Sequence, residues 1–125
     1  MAYLMRCPLR LHGGIKIDDT VVQPDIVVIC DKTKLDDKGG YKGAPELVVE
    51  IISPSTEKRD RFIKLKLYQN AGVNEYWIVD PDHKTVSVHI LNNGVYNINV
   101  FDEDETVSVH VLEGCDISLP EVFEI

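Results

Sequence analysis

Long apolar runs are missing from this chain: charged or turn residues break every one before it reaches the roughly 20 residues that a membrane-spanning helix needs. Cysteine is scarce and odd in number, and Cys7, Cys30 and Cys115 lie far apart. Without the close pairs that zinc sites use, this spacing argues against a disulfide framework or a zinc site and for reduced thiols, with Cys30 packed in a strand as a small hydrophobe. The first eight residues lack a charged start followed by an apolar stretch, so the expectation is a cytoplasmic protein with no membrane association. Positive charge is also short. Lys and Arg number 13 against 21 Asp and Glu, a formal charge of −8, whereas nucleic-acid binders usually carry a basic patch. Part of the deficit is local, because Asp102, Glu103, Asp104 and Glu105 form one acidic cluster, read as a solvated hairpin turn. The cations gather instead in Lys58, Arg59, Arg61, Lys64 and Lys66. At 125 residues the chain accommodates one domain, residues 1–125, with a core but no repeat or linker.

Against these absences stands one conspicuous run, Glu46-Leu47-Val48-Val49-Glu50-Ile51-Ile52-Ser53-Pro54. Strand side chains alternate, so Val48, Glu50 and Ile52 share one face while Leu47, Val49 and Ile51 share the other; two apolar faces imply a covered strand. Glu50 is therefore expected to be buried or to line a cleft. An ionised carboxylate away from water costs several kcal/mol unless a cation, hydrogen-bond donors or a metal compensate it, so packing alone does not explain its presence.

Before that run, Arg10-Leu11-His12 and Ile15-Lys16-Ile17 read as short strands joined at Gly13-Gly14. Gln23-Pro24-Asp25 opens another apolar strand, Ile26 to Cys30, with Asp25 at its mouth. A polar loop, Asp31 to Lys42, leads into the central strand. After it comes an amphipathic helix over about 57–71, N-capped by Ser55 or Thr56, with Glu57 in its first turn and Gly72 as terminator. Phe62, Leu65 and Gln69 mark one row of this helix, and Asp60, Lys64 and Tyr68 a second row facing a cleft. Strands follow at Asn74 to Val79, Thr85 to Leu91, Val95 to Phe101 and Thr106 to Leu112, with a hairpin turn at Asn92-Asn93-Gly94. Alternation in the later strands predicts an antiparallel layer wet on one side, and His83, His89 and His110 read as surface residues. Ile117 to Phe123 packs a few apolar side chains at the end.

Asp25 and Glu50 border two apolar strands separated by one loop. If those strands are neighbours, the two carboxylates can share a cation. Mg²⁺ takes hard oxygen ligands and is commonly held by one or two carboxylates plus substrate phosphate oxygens. Such an ion, for which Mn²⁺ substitutes, polarises a phosphodiester and lowers the pKa of a bound water. A nearby lysine would orient that water or stabilise developing charge.

The stretches Gln23-Pro24-Asp25-Ile26-Val27-Val28-Ile29-Cys30-Asp31, Gly43-Ala44-Pro45 through Ser55-Thr56, Asp60, Lys64, Tyr68, and Gly72-Val73-Asn74-Glu75-Tyr76-Trp77-Ile78-Val79-Asp80-Pro81 resemble the Uma-two family of restriction endonucleases. That family is assigned to the PD-(D/E)XK nuclease superfamily. The resemblance implies an α+β, restriction-endonuclease-like mixed sheet with one main helix and an antiparallel C-terminal layer. It further implies Asp25 and Glu50 as Mg²⁺ ligands, a nucleic-acid substrate, DNA by preference, and a homodimer. Ile52 occupies the place of the superfamily lysine, so a migrated lysine is implied: Lys64, with Lys58 and Lys66 as alternatives. Ser53, Asp60 and Tyr68 would support the site. Family members begin with further helices that precede these strands, which makes this chain look like a shortened member. Two function classes follow: a Mg²⁺-dependent endonuclease, or a catalytically inactive nuclease-fold module for binding or assembly.

Overall fold

The computed structural model describes residues 2–3, 10–11, 14–37, 39–55 and 58–124. Its elements are β1 (Ala2–Tyr3), β2 (Arg10–Leu11), β3 (Ile15–Ile17), β4 (Thr20–Val22), β5 (Ile26–Val28), β6 (Tyr41–Lys42), β7 (Leu47–Ile51), α1 (Lys58–Ala71), β8 (Glu75–Asp80), β9 (Thr85–Asn92), β10 (Val95–Asp102), β11 (Thr106–Ser108), β12 (Asp116–Ser118) and α2 (Leu119–Val122), with a short 3₁₀ turn at Lys32–Lys34. Five strands form the main sheet in the order β10-β9-β8-β7-β5. It is mixed: β7 and β8 run parallel, joined by α1 as the crossover helix, and every other neighbouring pair is antiparallel. The fold is thus of the α+β kind, with one main helix.

Alternation along β7 decides what covers each side of the sheet. Val48 joins Val27, Tyr68, Val73, Tyr76 and Tyr96 in one buried cluster under α1, to which the small β4-β3-β6 sheet adds Ile15, Ile17, Val22 and Tyr41. Leu47 and Val49 join Val28, Trp77, Val86, Val88, Val107, Val109 and Leu119 in a second cluster, beneath the β11–β12 pair and α2. Both faces of β7 are covered, as two apolar faces demand. At the strand's end Ile51 emerges and is 52% exposed.

Local signals account for the turns. Gly72, at a φ of 87°, stops α1 by letting Val73 N–H reach the Tyr68 carbonyl. Asn93 and Gly94, both at positive φ, make the two-residue turn that sets Asn92 opposite Val95.

Four expectations fail for identifiable reasons. β2 pairs with β1 rather than with β3, which folds back on β4 through Asp18 and Asp19; His12 and Gly13 lie outside the described residues. The Ile26 strand stops at Val28, because the Glu46 side chain, not a strand neighbour, takes the Cys30 N–H at 2.8 Å, and Cys30 is exposed. The acidic residues 102–105 are exposed as expected, yet they lead into β11, which pairs with β12 instead of folding back on β10 and ends at Ser108. Finally, His89 is buried: its Nδ1–H donates to the Tyr76 carbonyl at 2.9 Å and its ring lies between those of Tyr76 and Tyr96.

Glu75, which the sequence did not single out, is wholly buried. Its carboxylate accepts from Trp77 Nε1 at 2.6 Å and from the backbone N–H groups of His110 and Val111 at 3.2 and 3.0 Å. It thereby ties the segment after β11 to the main sheet. Glu75→Leu takes the acceptor from the buried Trp77 Nε1–H and from two part-buried backbone N–H groups and should destabilise the fold by on the order of 3 kcal/mol, whereas Glu75→Gln keeps an acceptor and should cost less; the two midpoints in urea decide this. Burial holds the His89 pKa below its ordinary 6.5, so the unfolded chain binds the proton more readily. Stability contributed by the neutral ring is complete above about pH 6.5 and is lost as pH falls below it. Urea midpoints between pH 7.5 and 5.5 should therefore drop less steeply for His89→Gln than for the parent.

Candidate active site

Pro24 lacks an N–H, and β5 begins just after it. Asp25 stands at this strand mouth with two hydrogen bonds to β7: its N–H donates to the Val49 carbonyl at 3.1 Å, and its Oδ2 accepts the Ile51 N–H at 2.7 Å. The side chain thus replaces a backbone acceptor where the ladder ends. Val28, Val27 and Ile26 lie opposite Leu47, Val48 and Val49, and continuing that register by one residue sets Asp25 across from Glu50. Residues so paired project from the same sheet face with Cβ atoms about 5 Å apart. Asp25 follows the alternation of Val27, and Glu50 that of Val48, onto the face beneath α1.

Glu50 is 6% exposed. Oε1 accepts from Lys64 Nζ at 2.9 Å, and Oε2 from the Tyr76 hydroxyl at 3.3 Å. Lys64 reaches it from α1, while Tyr76 comes from β8, where it lies opposite Val48 in the parallel register. The lysine side chain is 43% exposed and the glutamate 8%, so solvent screens the ion pair from one side only. Among the described residues Lys64 pairs with Glu50, not with Asp60 one turn earlier. Burial, followed by the Glu50 charge, pushes the Tyr76 phenol well above its ordinary pKa.

Glu50, Lys64 and Tyr76 line a cleft of about 390 Å³ together with Ile51, Ile52, Ser55, Asp60, Arg61 and Ile63. Of the sequence candidates, Glu50, Lys64 and Asp60 therefore meet in one opening. Tyr68 lies wholly buried beside them, its ring 4.8 Å from that of Tyr76. Asp25 reaches the group from the neighbouring strand without lining the cleft. Ser53 stands apart: it bonds Ser55 Oγ at 2.8 Å and borders an adjoining hollow with Arg61, Asp80 and His83. Ile52, at the superfamily lysine position, borders both. Tyr76 and Arg61 were not recognised as site residues. Tyr76 could be found only by knowing that β7 and β8 pair in parallel, and Arg61 only by knowing how α1 is rotated against the sheet.

None of the curated proteins matches the chain. Among solved structures, its fold is similar to a crystal structure described as a putative nuclease of the DUF820 group from Anabaena variabilis ATCC 29413, with a TM-score of 0.71 and 24% identity over 93% of this chain. The chain spans 66% of the length of that protein. The family model described as Uma2, putative restriction endonuclease, matches residues 3–120, and the chain belongs to that family.

Proposed function

We propose that this domain is a Mg²⁺-dependent endonuclease that hydrolyses nucleic-acid phosphodiesters, with Asp25 and Glu50 as ion ligands and Lys64 as the catalytic cation. One observation carries the reading: the β5–β7 register sets two acids on one sheet face under the helix, and Lys64 sits 2.9 Å from Glu50. The donor set suits a hard cation. Asp25 commits one oxygen to Ile51 N–H and leaves Oδ1 without a partner among the described residues, and each Glu50 oxygen has a single partner. When bound, Mg²⁺ would supply charge neutralisation at the phosphate and a water of lowered pKa.

The residues themselves do the rest. Lys64, held by Glu50 on one side and open to solvent on the other, swings between the carboxylate and an incoming phosphate or water. Water attacks phosphorus, the ester oxygen leaves with a proton, and Lys64 stabilises the charge that accumulates on the phosphoryl oxygens. Nucleic acid, DNA by preference, approaches along α1, where Lys58, Arg59, Arg61, Lys64 and Lys66 face a single aspartate, Asp60. A homodimer is the assembly this reading favours, because β10 is a long edge strand with Ile98 and Val100 exposed, and such an edge is an open template for pairing.

A second reading also has an observation in its favour. Glu50 is already met by Lys64 and Tyr76, as a merely structural acid would be, and the fold would then serve as an inactive binding or assembly module. Calorimetry with Mn²⁺, cleavage assays on DNA and urea unfolding separate the two. In the nuclease reading the parent binds Mn²⁺ and nicks DNA, while Asp25→Ala and Glu50→Gln lose both. Lys64→Ala loses cleavage but keeps its midpoint, since a half-exposed helix lysine contributes little stability. Glu50→Leu keeps or raises its midpoint, because it removes a desolvated charge whose partner can turn to water. A parent that binds no Mn²⁺, together with a Glu50→Leu midpoint lowered by about 3 kcal/mol, leaves the module as the function.

A further inference from the structure

Tyr68 presents the one buried hydroxyl among the described residues that finds no hydrogen-bond partner. Two other phenols of this core are accounted for: Tyr76 donates to Glu50 Oε2 at 3.3 Å, and Tyr96 donates to the Val73 carbonyl at 2.7 Å. A buried hydroxyl left unpaired is costly, so a stable fold normally supplies an acceptor. Tyr68 is 0% exposed and projects from α1 onto the sheet face that carries Asp25 and Glu50. Its O–H is therefore a donor available to the space beside those carboxylates. What it lacks is an oxygen positioned between itself and two carboxylates. Neither carboxylate meets it in good geometry.

We propose that the Tyr68 hydroxyl is a positioning group of the ion site: it donates its hydrogen bond to a water shared with the divalent cation that Asp25 and Glu50 hold. The inference rests on the nuclease reading above and adds to it a third protein group in the ion's surroundings, contributed by the helix rather than by the strands. Three features fit. The hydroxyl makes no well-formed hydrogen bond although Glu50 is its near neighbour, it lies on the sheet face of the carboxylate pair, and its ring is fixed by the tilted contact with Tyr76, whose own hydroxyl holds Glu50 from the neighbouring strand. Tyr76 thus sets the carboxylate, and Tyr68 sets the water. Groups that orient metal ligands from one shell further out commonly change metal affinity by about 10–100-fold when removed.

Tyr68→Phe deletes the hydroxyl and keeps the ring. With the parent, Tyr68→Phe, Glu50→Gln and Tyr96→Phe, Mn²⁺ affinity is measured by calorimetry and metal-free stability by urea unfolding. The proposal expects Tyr68→Phe to bind Mn²⁺ about tenfold more weakly or worse, while its metal-free midpoint is unchanged or raised. Tyr96→Phe, whose lost bond lies at Val73, should lower the midpoint and leave the affinity alone. If the parent binds Mn²⁺ and Glu50→Gln does not, but Tyr68→Phe binds as the parent does, the inference falls and the nuclease reading stands. A lowered metal-free midpoint with unchanged affinity also overturns it, for then the hydroxyl serves the core through a structural water. If the parent itself binds no Mn²⁺, both fall together.

Discussion

Burial of the Glu50 carboxylate is the constraint around which this domain is arranged. A charge at 6% exposure on an otherwise apolar strand must be compensated, the more so because a second acid, Asp25, stands opposite on β5, and the compensation arrives from two separate elements. Lys64 comes down from α1, and Tyr76 comes across from β8. Each of these positions follows from the parallel β7–α1–β8 crossover. The crossover lays the helix over the face that holds Val48 and Glu50, and the short loop after β7 returns the chain so that the fourth residue past Asp60 meets the carboxylate. In parallel sheets the carboxyl ends of strands are where ligands bind, because the connecting loops open there. Glu50 sits one residue from the end of β7, where that opening begins.

Two buried glutamates in one small sheet make a useful contrast. Glu75 pairs with Leu47 in the same register that pairs Ile78 with Glu50, and it lies on the opposite face. Its carboxylate is met by three N–H donors fixed in the chain, two of them backbone, with no cation and no access to solvent. Nothing there can move without unfolding the segment beyond β11, so the group is a strut. Glu50 has one partner on a flexible, 43% exposed side chain and a second at the long limit of a hydrogen bond. That looser compensation can be exchanged for a ligand at modest cost. The two acids differ in what satisfies them more than in how deeply they are buried.

Much of the frame was legible because it depends on signals local to the chain. The alternation of β7, the Asn93-Gly94 turn and the Gly72 stop are each set by a few adjacent residues, and each appears where those residues place it. Asp25, Glu50 and Lys64 were singled out by an acid interrupting an apolar strand and by spacing along a helix. What escaped depends on pairings between distant segments. His89 alternates with Thr85 and Ser87 onto what reads as a wet face, but Tyr76 and Tyr96 cover that face at His89 alone. The rotation of α1, which turns Tyr68 to the sheet and leaves Phe62 59% exposed, is likewise set by packing against distant strands. Glu75 reads as a strand-end acid until His110 and Val111 arrive from 35 and 36 residues later.

The net charge of −8 looks at first like an argument against a polyanionic substrate, but that conclusion mistakes a global quantity for a local one. Charges separated by more than about 8–10 Å are largely screened at physiological ionic strength. The field a phosphate meets at the cleft is therefore set by the groups around it, where Arg61 and Lys64 stand against Glu50 and Asp60. Many of the acids lie elsewhere in the chain, four of them in the exposed turn at 102–105, where Glu103 meets Lys84 at 3.6 Å. Global acidity slows the approach of nucleic acid and weakens nonspecific binding.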